Sequence, residues 1–569
     1  MSTPHAWEAA AAQLAGLRDL WPADVPRTLD EPIPGGSVID YLRKWSAERP
    51  DTVAIHFYGR DITFAELDRS SAAYAGWLRA NGVQPGDRAG VFLPNCPQFA
   101  IAFLGILRAG AVYVPINPMF RARELAHELS DAGARVLLAL PEFAPLIAEV
   151  GAELGVELTV GYTQLADTLE GPAVPPAPFE PVDPEQPSDW ADIMAYAPAP
   201  EVSADLDALA ALNYTGGTTG LPKGCEHTQR HMVYTALTAL LGQGSTPGEG
   251  RRCTLGFLPM FWIAGQNLAL LCPLVDGSEV VILTRWNASA ALELLESRRV
   301  TFMSSPVENY VELLEHPDFS SRAVESLTTC TSLSFVRKLD IPMRERWREA
   351  TGVTLRTGPF GMTESHTSDT FTLGLDRDDQ DLKAEPVYCG YPVPRTSIVI
   401  VDGDLEPVPQ GETGQILLHS PSVLTGYYGN PEATAKTVVN GWLLTGDTGR
   451  FDEHGALTYL ARTKEMIKVK GMSVFPSEVE ALLRTHPAIE RVAVAPREDA
   501  EAGQKPVAFI ELREDTGADA TADGIRAWAK EQMATYKVPE VVIVDSMPMT
   551  ATGKIRKTVL VESLGGVSV

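Results

Sequence analysis

The reading turns on residues 214–224, "YTGGTTGLPKG". Four glycines and three threonines fall within these eleven residues, which close on Pro222-Lys223-Gly224. Glycines let backbone N–H groups converge on an anion without Cβ clashes. The hydroxyls of Thr215, Thr218 and Thr219 add donors and Lys223 adds charge, so the stretch has the chemistry of a phosphate-holding loop. It is not the Walker loop, which needs Gly-x-x-x-x-Gly-Lys-Ser/Thr; here Pro222 precedes the lysine and Gly224 follows it.

Around the loop, apolar periodicity alternates between helical and strand-like. "SVIDYLRKWSAERP" is amphipathic, "TVAIHFYG" strand-like, "TFAELDRSSAAYAGWLRANGV" helical, "DRAGVFLPN" a strand, and "PQFAIAFLGILRAGAVYVPIN" a helix running into a strand. The pattern resumes in "GSEVVILTRWNASAALELLESRRVTFMSSP" and predicts α/β architecture with a largely parallel sheet. The Pro- and acid-rich stretch 170–189 reads as a surface linker between two lobes of this region. After about residue 385, short strands with turns predict a small β-rich subdomain, and beyond 465 a compact α+β unit follows.

The chain has 569 residues, 45% hydrophobic and 21% charged, which is ordinary for a globular protein. Its formal charge of −27 opposes nucleic acid and anionic lipid as general partners. An anionic substrate must therefore meet positive charge supplied locally. Cys96, Cys225, Cys253, Cys272, Cys330 and Cys389 are scattered without metal-ligand spacing and read as reduced, buried thiols of a cytoplasmic protein. No basic n-region with an apolar core opens the chain, and no apolar run is long enough to span a bilayer, so stable membrane insertion is not expected.

The loop resembles the signature of the adenylate-forming superfamily: acyl-CoA synthetases, firefly-type luciferases and peptide-synthetase adenylation domains. The usual form has Ser where this chain has Gly216, which removes one hydroxyl donor. Further motifs resemble the family in order and extend the likeness over most of the chain. "FGMTES" at 360–365 implies Phe360 and Gly361 at an adenine site, Thr363 at the α-phosphate, and Glu364 as a Mg²⁺ ligand. "GWLLTGDTGRFDEHG" implies Asp447 accepting from both ribose hydroxyls. "ARTKEMIKVKGMSVFPSEVE" at 461–480 implies Arg462 at ribose or phosphate and Lys464 as a hinge, with Lys468, Lys470 and Gly471 on a segment that faces the site after rotation. "PMTATGKIRK" at 548–557 implies Lys554 reaching the substrate carboxylate and the α-phosphate.

The resemblance implies ATP and Mg²⁺ bound through Thr215, Gly216, Gly217, Thr218, Thr219, Gly220 and Lys223 with the other motifs. It implies a carboxylic acid activated as an acyl-adenylate, then passed to a thiol, most simply that of CoA. A carrier-protein thiol or an amine are alternative acceptors, and a non-catalytic nucleotide-binding relative is the reading from another class. A homodimer is an allowed assembly. The implied organisation is a large domain over 1–461 built of two doubly wound lobes and the β-rich subdomain, a hinge at 462–465, and a small mobile domain over 466–569.

Two departures bear on the acid. Amino-acid adenylation domains carry Asp after Phe in the region "FLPMFWIAGQNL", and many acyl- and aryl-CoA synthetases carry His; this chain has Trp262 after Phe261. That argues against an α-amino acid and makes Trp262 an apolar wall or gate. "CTSLSFVRKL" at 330–339 replaces a glycine-rich family segment, so Thr331, Ser332 and Leu333 are expected to narrow the pocket around a fatty or aryl acid. His227 and His366 adjoin the motifs without an evident partner.

Overall fold

The computed structural model describes the chain except residues 1–3, 24, 30–34, 201, 203–204, 216–220, 251, 321–322, 334–337, 384–386, 470–471, 500–502, 514–515, 517–519, 534, 550–554 and 565–569; the side chains of 4, 387, 388, 464, 468, 472, 473, 503 and 564 are likewise not described.

Two α/β sheets form the frame. One runs in the order Leu355–Thr357, Thr329–Leu333, Phe302–Pro306, Cys253–Gly256, Glu279–Ile282, Val53–Phe57 and Arg60–Thr63, parallel except for the last pair. The other runs Thr159–Tyr162, Val136–Ala139, Arg88–Phe92, Val112–Pro115, Leu209–Tyr214 and Gly224–Thr228, again parallel except for the last pair. These are the two expected doubly wound lobes.

The local signals explain the helices. Ser37 and Asp40 form a reciprocal capping box that starts the helix Val38–Glu48, whose Val38, Ile39, Leu42 and Trp45 are buried at helical spacing. The helix Pro97–Arg108 is buried at every position from Pro97 to Leu107. Its apolar residues join one core cluster that also holds Ile55, Leu255 and Val280 of the first sheet and Ala89, Val91 and Tyr113 of the second. A helix that is apolar all round belongs between two sheets.

The stretch 170–189 corrects an expectation. It lies on the surface as expected, most of its residues exposed, but it is a strap pinned through Phe179 and not a linker between lobes. It leaves and re-enters the second sheet, between Thr159–Tyr162 and Leu209–Tyr214. On the way Phe179 stacks on Phe57 with centroids 5.6 Å apart and meets Tyr58 edge-on, and Val174 N donates to Tyr58 O. Packing one half-buried aromatic ring against Phe57 and Tyr58 outweighs the proline-rich composition as a guide to its role.

An antiparallel sheet of Thr370–Phe371, Val387–Pro392, Leu457–Arg462, Trp442–Phe451, Gly414–His419 and Ser397–Val401, with Val438–Val439 on the side, forms the β-rich subdomain. The chain then crosses a short turn, Thr463–Glu465, into a separate sheet: Met472–Val474, Ile467–Val469, Gly503–Leu512 and Ile489–Asp499, with Glu540–Ile543 against Gly503–Leu512. That sheet has its own apolar cluster around Val474, Val479, Leu483, Val494, Ile510 and Ile525. All six cysteines are free and buried, as expected. Among the described residues no helix is long and apolar enough to cross a membrane.

Candidate functional site

In a parallel sheet, ligands gather outside the carboxyl ends of the strands. Three implied regions follow such ends in the first sheet: Phe261 and Trp262 after Cys253–Gly256, Ser332 and Leu333 at the end of Thr329–Leu333, and Phe360 and Gly361 after Leu355–Thr357. In the second sheet the glycine loop caps the hairpin of Leu209–Tyr214 and Gly224–Thr228, with Tyr214 paired to Gly224. Its neck closes by Thr215 N donating to Lys223 O at 3.0 Å and Lys223 N to Thr215 Oγ1 at 3.2 Å. Gly216, Gly217, Thr218, Thr219 and Gly220 lie outside the described residues.

The turn after Phe360 joins the parts. Gly361 packs so tightly that a Cβ there would lie 2.3 Å from Ser368 N and 2.8 Å from Thr367 C. His366, Thr367 and Ser368 all have positive φ, 56°, 67° and 56°, a run that costs energy and recurs at functional sites. This left-handed turn swings the chain back so that Asp369 N donates to Phe360 O at 2.8 Å. Thr363 and Glu364 project at its start in a short 3₁₀ turn. Phe360 is buried, with its ring 6.3 Å from that of Tyr459.

Tyr427 ties this turn to the glycine loop. Its hydroxyl donates to Glu364 Oε1 at 2.9 Å, and Lys223 Nζ sits 4.3 Å from its ring centroid, a cation–π contact. Burial and the Glu364 carboxylate push the Tyr427 hydroxyl well up, so it stays a donor. The Tyr427 segment is itself bridged to Cys225, and Leu424 N donates to Glu364 O at 2.8 Å. One ring thus separates the carboxylate implied for Mg²⁺ from the ammonium implied for phosphate.

Behind Thr363 lies a feature the sequence did not disclose. His227 Nε2 donates to the Thr363 carbonyl at 2.7 Å, and His227 Nδ1 faces His231 Nδ1 at 3.2 Å. The ring of His366 meets that of His227 edge-on at 4.8 Å, and His366 Nδ1 contacts Thr235 Oγ1 at 2.9 Å. All three are buried. Burial lowers all three: His227 well below the ordinary range, His231 to about 4 and His366 to about 3. They are neutral packing groups that support the turn. His227 lies on the strand Gly224–Thr228 and His231 in the first turn of the helix Gln229–Gly242 that follows, and their four-residue spacing was the available signal.

Asp447 and Arg462 stand opposite each other on neighbouring strands, with Arg462 Nε 3.0 Å from Asp447 Oδ1. Asp447 follows Gly446, whose φ of 70° needs glycine. Its N–H is held by Thr445 Oγ1 at 3.0 Å. Thr463 Oγ1 and Thr448 Oγ1 lie 3.1 Å apart where the chain leaves this sheet. The Lys464 and Lys468 side chains, Lys470, Gly471 and Lys554 lie outside the described residues. Beside Lys554, Met549 bridges Ile555, and Lys557 Nζ lies 2.8 Å from Glu480 Oε1.

For the acid, Trp262 is half-buried, edge-on to Phe261 at 5.8 Å, and precedes a short helix, Ile263–Gln266. That helix passes into a π-helical turn, Asn267–Leu271, a distortion found often at functional sites. Leu333 is half-buried. The Ser332 hydroxyl is buried and donates to Arg356 O at 3.2 Å, so it is turned to the neighbouring strand.

Comparison with known proteins gives the family. The AMP-binding enzyme model matches residues 42–428, and the model of the AMP-binding enzyme C-terminal domain matches 478–554. A long-chain-fatty-acid–CoA ligase of Bacillus subtilis (strain 168) is 30% identical over 562 residues, 95% of this chain and 97% of that protein. A feruloyl-CoA synthase of an Amycolatopsis species is 31% identical over 522 residues, 91% of this chain and 97% of that one. The structure of O-succinylbenzoate coenzyme A synthetase from Bacillus subtilis, in complex with ATP and magnesium ion, is 26% identical with a TM-score of 0.75, covering 91% of this chain and 98% of that one. The chain belongs to the AMP-binding enzyme family. It is an ATP-dependent, AMP-forming acid–thiol ligase, which activates a carboxylate through an acyl-adenylate.

Proposed function

We propose that this protein joins an apolar carboxylic acid, fatty or aryl, to CoA in the cytoplasm. The observation that carries the reading is the Lys223–Tyr427–Glu364 stack beside the glycine loop. It brings a phosphate-binding cation and a metal-binding carboxylate within one ring of each other, as pyrophosphate departure requires. The half-buried Trp262 and Leu333 support an apolar acid, as do relatives named for long-chain fatty acids and ferulate.

Glu364 fits Mg²⁺. It offers a hard oxygen donor, and among the described residues Tyr427 is the hydrogen-bond partner of its carboxylate. Among the described residues no cluster of three His, Cys, Asp or Glu side chains could hold a metal alone, so substrate phosphates would complete the shell. When bound, the ion would neutralise charge on the leaving pyrophosphate. Asp447 receives the ribose hydroxyls and Phe360 borders the base. Thr363 donates to the α-phosphate, and the loop with Lys223 takes the β- and γ-phosphates.

Carboxylate and α-phosphate are both anions, so their approach needs a local cation; Lys554 supplies it and bridges the two. The carboxylate oxygen then bonds to the α-phosphorus and pyrophosphate leaves. In the second half-reaction the domain over 466–569 turns about 462–465, with Lys464 absorbing the change, and Lys470 and Gly471 come to face the site. The thiolate attacks the acyl carbonyl and AMP leaves.

The test is pyrophosphate release across a panel of fatty, aryl and amino acids with ATP and Mg²⁺. CoA, a carrier protein or amines are then added, and products identified by mass spectrometry. An acyl-CoA from an apolar acid is expected. Product only with a carrier protein or an amine would overturn the acceptor, and no pyrophosphate with any acid would overturn the enzyme.

A further inference from the structure

We infer that the helix Ala122–Ala132 anchors the phosphate loop, and that His127 and Asp131 are positioning residues that hold its two ends. The inference rests on the ATP reading above.

The two hydrogen bonds at the loop's neck fix how far apart its ends lie. They leave open the direction in which the loop departs from the sheet, since a two-stranded tip can bend and twist. Two contacts from outside the hairpin supply that direction. His127 Nε2 donates to the carbonyl of Pro222, on the outgoing arm, at 2.8 Å. The hydroxyl of Tyr214, on the incoming arm, donates to Asp131 Oδ2 at 2.8 Å. His127 and Asp131 are four residues apart on one helix and so share a face. One rigid element therefore grips both arms.

Each contact is made by a group suited to it. Pro222 lies beyond the last pair of the hairpin ladder, Tyr214 with Gly224, so its carbonyl is available to an outside donor. Burial, Asp131 and Glu128 push the Tyr214 hydroxyl well above its ordinary range, so it remains a donor. The Tyr214 ring lies across Gly224: a Cβ there would come within 3.2 Å of its Cζ and 3.3 Å of its hydroxyl. The last glycine of the loop motif thus makes room for the ring that reaches Asp131. The helix itself is firmly seated. Leu125 and Leu129 are buried against Val112 and Val114, Arg121 N is capped by Glu124 Oε2 at 3.0 Å, and Gly133 closes the end in the left-handed region.

A loop that binds phosphate with backbone N–H groups works only while those groups point at the ligand, and small displacements are costly. The helix thus acts on ATP through the loop without touching it.

The experiment compares His127→Ala, Tyr214→Phe, the double variant and His127→Gln with the natural chain. Four quantities are read: the KM for ATP in pyrophosphate release, the KM for the acid, the rate of thioester formation from supplied acyl-adenylate, and equilibrium affinity for ATP alone. Each single variant should raise the KM for ATP and weaken ATP binding about fivefold to tenfold, and the double variant more. The acid KM and the thioester rate should hold, and His127→Gln, which restores an Nε2 donor, should recover most of the loss. Unchanged ATP affinity, or an equal fall in both half-reactions as a merely structural role would give, overturns the inference. If the natural chain releases no pyrophosphate with any acid while His127→Ala still weakens ATP binding, the anchor stands and the enzymatic reading falls.

Discussion

The three buried histidines behind Thr363 give a prediction whose sign and size follow from their geometry. The 2.7 Å contact to the Thr363 carbonyl requires a proton on His227 Nε2, so neutral His227 turns a bare Nδ1 to His231. The Thr235 hydroxyl is spent on the carbonyls of His231 and Met232, so it accepts from His366 Nδ1. That leaves His366 Nε2 buried and, among the described residues, without a hydrogen-bond partner, where a second proton would be a buried, unpaired charge. Unfolded histidine titrates near 6.5, above the folded values of about 4 for His231 and about 3 for His366. The unfolded chain therefore binds protons that the native chain refuses. The associated stability is fully present above 6.5 and is lost as pH falls from 6.5 towards those lower values. Between pH 7.5 and 5.5 the linkage relation gives a loss of about 1.4 kcal/mol for each such histidine. Asp369 works in the opposite direction, because burial pushes its carboxyl well up and the native chain takes up that proton. The net slope of the natural chain therefore mixes signs, and a variant isolates one contribution. His231→Gln places a glutamine at the third helical position, whose oxygen can accept from Thr228 N as His231 Nδ1 does and whose amide N–H can face His227 Nδ1. Urea denaturation at the two pH values should show the variant losing about 1.4 kcal/mol less than the natural chain. Equal losses in the two proteins would refute a neutral, proton-refusing His231.

Three further outcomes are expected. Lys554→Ala should abolish pyrophosphate release yet spare thioester formation from supplied acyl-adenylate, and Lys464→Pro should do the reverse; matching losses in both assays would reject the division of labour. Tyr427→Phe keeps the aromatic ring under Lys223 but removes the hydroxyl from Glu364, so the Mg²⁺ concentration for half-maximal pyrophosphate release should rise about tenfold, as for other groups that orient metal ligands. Gly361→Ala drives a methyl into the Ser368 backbone and should cost about 1–3 kcal/mol of stability, read from the denaturation midpoint, together with adenylate formation.

Much of the protein is determined by short-range pattern. The 2.0 and 3.6 periodicities declared the alternating strands and helices because each element buries one face or stripe, and that demand is written in neighbouring residues. The loop at 214–224 disclosed phosphate chemistry because backbone donors need glycine locally, and Gly446-Asp447 is local in the same sense. The strap at 170–189 defied its composition because one residue, Phe179, found a distant aromatic partner in Phe57. Tertiary structure alone decided that Tyr427 would serve Glu364, 63 positions away, and that His366 would lean on Thr235, 131 positions away. It likewise decided that one helix would hold both arms of the loop through His127 and Asp131. Such pairings arise when whole sheets and helices dock. The side chains that meet there carry no periodic or compositional mark, since each is defined by a partner the local chain does not contain.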